Sequence, residues 1–181
     1  MSAIRWTLLL GLLFVLVVFQ TAASPSFPIF GVGPHVVLIV LCCWAMVRPP
    51  TETLVMIPLA GVGLGLLAFQ GMAESVAALA PIGLAALSWH AWKESRTHTP
   101  LALEWAATIV LVGAASILHF TAHAIAVELS TNGVNWLAAL RTVMLGGLLG
   151  NILLGAVVYW FVRIPTSGAA SMSTTPRTAG F

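Results

Sequence analysis

The residues best equipped for chemistry sit in the stretch "LHFTAHAIAVEL", where His119 and His123 are four positions apart and Glu128 follows five positions later. On a helix this spacing puts both imidazoles on one face, separated along the axis by about 6 Å. Two readings suit such a pair. With further ligands from facing helices it would hold a metal ion or a haem. Without them it is a solvated or hydrogen-bonded helix end, and the elements that carry the residues decide between the two.

Composition points to lipid. The chain of 181 residues is 60% hydrophobic and 7% charged, contains no aspartate, and has a mean hydropathy of +1.04. A water-soluble globule of this size cannot hide so much apolar surface. The net charge of +2 comes without any basic run, so no nucleic-acid partner is expected. Cys42 and Cys43 are adjacent within an apolar stretch, where a bridge between them would be strained; they read as helix filler, with acylation near the membrane edge as the other reading.

Crossing about 30 Å of hydrocarbon takes roughly 20 helical residues, and the chain divides into six such runs, approximately 5–23, 35–48, 51–70, 75–92, 101–128 and 136–163. The second is short and is expected to extend back before Pro34. Turn chemistry separates the runs: "SPSFPIFGVGP", "RPP", "GMAES", "KESRTHTP" and "STNGVN". Pro58 and Pro81 should bend the third and fourth spans. Arg5 ahead of a short apolar core and the small residues "TAAS" also fit a cleaved secretory signal, but a first span accounts better for the charges. Arg5, Arg48, Lys93, Arg96, Arg163 and Arg177 fall on one side of this arrangement, which makes that side, and both termini, cytoplasmic. Trp6, Trp44, Trp89, Trp92, Trp105 and Trp160 lie near the same ends, with Trp136 opposite. Residues 1–164 thus form an all-α membrane domain of six transmembrane helices, and the small, polar, proline-containing segment 165–181 reads as a disordered cytoplasmic tail.

This topology places His119 about 27 Å along the fifth span, with His123 and Glu128 at or beyond the outer boundary. Of the other histidines only His35 shares that level, which leaves a metal or haem short of ligands. Arg141, one to two turns into the sixth span from the same side, should snorkel or find a partner. An outer-leaflet polar cluster of His119, His123, Glu128 and Arg141 is the resulting expectation. All five glutamates lie in loops or near helix ends, and no phosphate loop, nucleophile elbow or HExxH pattern occurs, so no catalytic, cofactor-binding or metal residue is assigned and no enzyme is expected. Helix-packing chemistry is plentiful. Gly61 with Gly65 and Gly146 with Gly150 are G-x-x-x-G pairs, serving either internal packing or a surface for another membrane protein. Asn151, deep in the sixth span, should hydrogen-bond to another helix.

The order of features resembles the rod shape-determining protein MreD family over 5–163. The resemblance rests on Gln20 ending the first span, the Pro-rich outer loop, "PHVVLIVLCCWAMVRPP", "GVGLG", and "LRTVMLGGLLGNILLGAVVYWFVR" at the end. This chain has His35 after Pro34, where many members carry Asn or Asp, and Phe69 where many carry Asp. The resemblance implies a multi-pass protein of the bacterial inner membrane with the six-helix shape of vitamin-transporter substrate-binding subunits. It further implies a non-catalytic scaffold of cell elongation that docks an MreC-like single-span protein. Through that partner it would act on the MreB filament, the RodA glycosyltransferase and a penicillin-binding transpeptidase, and so help to position peptidoglycan synthesis. Two other readings stand beside it. One is a substrate-binding subunit of an energy-coupling-factor transporter, its outer pocket lined by the third span and by 27–34. The other is a haem- or quinone-binding subunit using His119, His123 or His35.

Overall fold

A computed structural model describes residues 3–30, 32–68, 71–131 and 144–170, with backbone alone at 130–131 and 165–170. Its elements are α1 (Ala3–Ala22), a 3₁₀ turn (Ser24–Ser26), α2 (Val36–Val47), α3 (Pro50–Leu67), α4 (Met72–Glu94), α5 (Leu101–Thr131) and α6 (Leu145–Ala170). Among the described residues there is no β-strand, only an isolated bridge between Ile29 and Val32. Among the described residues, five helices are long and apolar enough to cross a membrane: α1, α3, α4, α5 and α6. Their outward faces are apolar, with Leu8, Leu84, Val110 and Phe161 among the most exposed side chains, which suits lipid and not water. The protein is an all-helical, multi-pass membrane protein.

The short α2 is the exception to the expected spans. Its 12 residues rise only about 18 Å, and it does not extend back through Pro34. That preceding segment is the 3₁₀ turn followed by a tight turn closed by Ile29 N–H to Val32 O (2.9 Å) and Val32 N–H to Ile29 O (3.2 Å). Pro25, Pro28 and Pro34 supply no N–H for a helix there, and Phe30 sits at φ 54°, a left-handed backbone. Every residue of α2 from Val37 to Met46 is buried, and the helix touches each of the other five. A helix that is apolar all round is a core element, and α2 is the core of this bundle.

The other helices are arranged around it. On α1, Leu9, Leu13 and Val17 recur at four-residue spacing and form its buried stripe, while most of the helix stays exposed. Between α3 and α4 the backbones nearly touch: a Cβ on Gly61 would lie 2.7 Å from the Val76 Cα, and one on Gly65 would lie 2.7 Å from the Met72 Cα. Both helices continue past Pro58 and Pro81. The last helix is described to Ala170 and its side chains to Ile164; the remainder of the tail, with Trp136, Arg141 and Phe69, lies outside the described residues.

Candidate functional site at the two ends of the central helix

A short helix inside a bundle has its ends away from water, so its unpaired backbone groups need partners from other elements. At the N-terminus of α2, the His35 imidazole Nδ1 accepts from the Leu38 N–H (3.1 Å). The His35 N–H donates to the Asn151 Oδ1 of α6 (2.9 Å), and the Val37 N–H points to the Gln20 Oε1 of α1 (3.4 Å). Asn151 is fully buried and its Nδ2 donates to Ser116 Oγ of α5 (3.0 Å). One amide therefore joins α6, α5 and the start of α2, so the predicted residue bonds to more than one element. At the other end, His90 of α4 lies 3.1 Å from the Ala45 carbonyl, one of the last carbonyls of α2.

The histidine pair belongs to the first of these ends. His119 meets His35 edge to face, ring centroids 4.3 Å apart, and its Nδ1 is buried with no partner among the described residues. His123 reaches across to Glu74 of α4 (3.3 Å). Glu128 is half-buried and lies roughly 140° around α5 from His123. Of the four residues expected to cluster, then, His119 meets the start of α2 through His35, His123 pairs with Glu74 of α4, Glu128 is half-buried on another side of α5, and Arg141 lies outside the described residues. The direct contact of the His35 and His119 rings leaves no room for an iron between them. Among the described residues, no group of three His, Cys, Asp or Glu side chains could hold a metal.

The glycine pairs are occupied by the chain itself. Gly61 and Gly65 admit α4, as described. A Cβ on Gly146 would lie 2.7 Å from the Phe30 carbonyl oxygen, and one on Gly150 would lie 3.3 Å from Ile29. The second pair is thus the seat of the Ile29–Val32 turn. Cys42 and Cys43 are buried thiols within α2; Cys43 Sγ faces the Gly155 carbonyl at 3.7 Å.

Sequence reasoning missed two ionic networks at the opposite end of the bundle. Glu104, 4% exposed at the start of α5, accepts from Lys93 Nζ (2.7 Å), from the Tyr159 hydroxyl (2.9 Å) and from Arg163. Glu52, fully buried in the first turn of α3, accepts from Arg5 and from the Trp44 indole N–H (3.0 Å). Arg48 lies over the Trp44 ring at 5.2 Å, and its Nε is buried without an acceptor among the described residues. Burial pulls the Arg48 pKa below its ordinary value, Glu52 pushes it up and Arg5 pushes it down; the guanidinium stays charged. The signal for these networks is present in the sequence: Arg5, Lys93 and Arg163 fall on one side by the charge rule, and Glu52 and Glu104 lie near helix ends. What the sequence lacked was the direction each faces around its helix.

Both carboxylates lie at helix ends, bonded to cations and aromatic donors of the same chain, an arrangement that joins helices and leaves neither carboxylate poised against an open cavity. Comparisons with family models, with curated proteins and with solved structures found no match.

Proposed function

We propose that this protein is a non-catalytic membrane scaffold, with six spans and both termini in the cytoplasm, that docks a single-span partner on its lipid-facing surface. The observation that carries the reading is the use made of the buried polar groups. Glu52, Glu104 and Asn151 each bind two or more groups of their own chain across different elements. Such groups build a rigid body. The G-x-x-x-G faces are filled from within, so a partner would use another surface. The best candidate is α1, where Leu8 (69% exposed), Phe14 (66%) and Val15 (62%) belong to a broad, mostly apolar outward face. The MreD-like order of sequence features sets this scaffold in the cell-elongation machinery of a bacterial inner membrane, with an MreC-like protein as the partner.

One observation favours a second reading, a substrate-binding subunit of a vitamin transporter: the His119 Nδ1 beside the polar start of α2, which has no partner among the described residues. Purification from the native membrane with identification of associated proteins separates the two. A bitopic protein supports the scaffold; a pair of ATPases supports transport and overturns it.

A further inference from the structure

We propose that the groove between α1, α2 and α6 holds one anionic phospholipid, its phosphate against Arg48 and an acyl chain along the apolar wall. The mouth of this groove is a space of about 230 Å³ bounded by Arg5, Arg48, Trp44 and Leu8. It continues into a second space of about 370 Å³ walled by Leu12, Leu16, Val40, Val158 and Phe161, and the two share Leu12, Trp44 and Arg48.

Charge identifies the occupant. Two guanidiniums face a single carboxylate at the mouth, and Glu52 is already committed to Arg5 and to the Trp44 N–H. One positive charge is left over. It is carried by Arg48, whose side chain makes no hydrogen bond among the described residues and lies over the face of Trp44. Its terminal nitrogens, which unlike Nε are not enclosed, bond to no acceptor among the described residues, and a phosphate oxygen is their geometrically matched acceptor. Length identifies the rest of the ligand. From Arg5 to Leu16, α1 rises about 16 Å, half the thickness of the hydrocarbon slab and so the depth of one leaflet. A lipid of that leaflet would place its headgroup at the arginines and its chain in the apolar part of the groove. Basic pockets between transmembrane helices are general sites for anionic headgroups. Leu8 lies both at this mouth and on the α1 face proposed for a partner, so lipid and partner would adjoin there, but the lipid count below does not rest on the scaffold reading.

The test uses the full chain purified in a neutral detergent, with bound lipid counted by native mass spectrometry. Phosphatidylglycerol is compared with phosphatidylcholine of the same chains and with inorganic phosphate. The expected result is one retained phosphatidylglycerol, preferred over phosphatidylcholine by roughly five-fold, the effect of one basic residue near a headgroup. Arg48→Gln should reduce that preference to less than about two-fold. Leu16→Trp, at the apolar end and remote from the ion pairs, should lower retention of both lipids while leaving helicity unchanged. Equal binding of the two lipids, an unchanged preference in Arg48→Gln, or undiminished retention in Leu16→Trp would overturn the proposal. Inorganic phosphate that displaces the lipid completely would reduce the site to a free-anion site and overturn it equally.

Discussion

Removing the Glu104 carboxylate should cost this protein about 3 kcal/mol. The carboxylate receives two charge-assisted hydrogen bonds, from Lys93 and Arg163, each worth about 1.5–3 kcal/mol when buried. Both donor side chains are 32% exposed, so water screens them and each contribution falls to about 1 kcal/mol or less. The Tyr159 hydroxyl is fully buried and loses its acceptor, which adds about 1–2 kcal/mol. Glu104→Ala bears all of these losses, whereas Glu104→Gln keeps an oxygen for Tyr159 and should lose about half as much. Equilibrium unfolding in mixed micelles measures both, and a double-mutant cycle with Lys93→Ala isolates the pair. A loss below about 0.5 kcal/mol for Glu104→Ala, or no coupling to Lys93, would refute the argument that this network joins α4, α5 and α6.

Other perturbations separate the tight seams from the loose ones. Gly61→Val should push α4 off α3 and lower the midpoint of thermal unfolding, at a cost of about 3 kcal/mol or more, because the obstacle is the Val76 backbone. Gly11→Ala, with nothing within 4 Å, should be neutral or slightly stabilising in the same assay. Asn151→Leu leaves the His35 N–H without its acceptor and should cost about 2 kcal/mol, with faster hydrogen exchange at the start of α2 as the local signature. His123→Ala should change stability by less than about 0.5 kcal/mol, since its pair with Glu74 is half-exposed. For topology, the native thiols Cys42 and Cys43 are buried and silent, so single cysteines at Phe27 and Arg96 can be probed with an impermeant reagent. Phe27→Cys should label from outside the cell and Arg96→Cys only once the cytoplasmic face is opened.

Much of the architecture was legible because lipid leaves few choices. Charges avoid hydrocarbon, so Arg5, Arg48, Glu52, Lys93, Glu104 and Arg163 could be placed at one set of helix ends, and the ion pairs show those ends meeting in space. Asn151 and the Gly61–Gly65 pair announced close helix contact through their polarity and small size. The nature of α2 was not legible. A uniformly apolar run of this length looks the same facing lipid or neighbouring helices, and only its enclosure by five others distinguishes them. Of the histidine cluster, the sequence could not supply Glu74, which meets His123 from another helix altogether, while Glu128 lies on another side of α5 and Arg141 lies outside the described residues. The Ile29–Val32 turn packed on Gly146 and Gly150 was equally hidden, because a loop leaves no periodic pattern that identifies its partner.

The central claim is that a rigid body built by internal polar bonds presents an apolar α1 face to a partner helix. A photoreactive residue at Leu8, Phe14 or Val15, activated in the native membrane, tests it most directly. One single-span membrane protein should cross-link from these positions and none from Gly61 or Gly146, which the chain covers itself. Cross-links confined to lipid, or directed to a pair of ATPases, would contradict it.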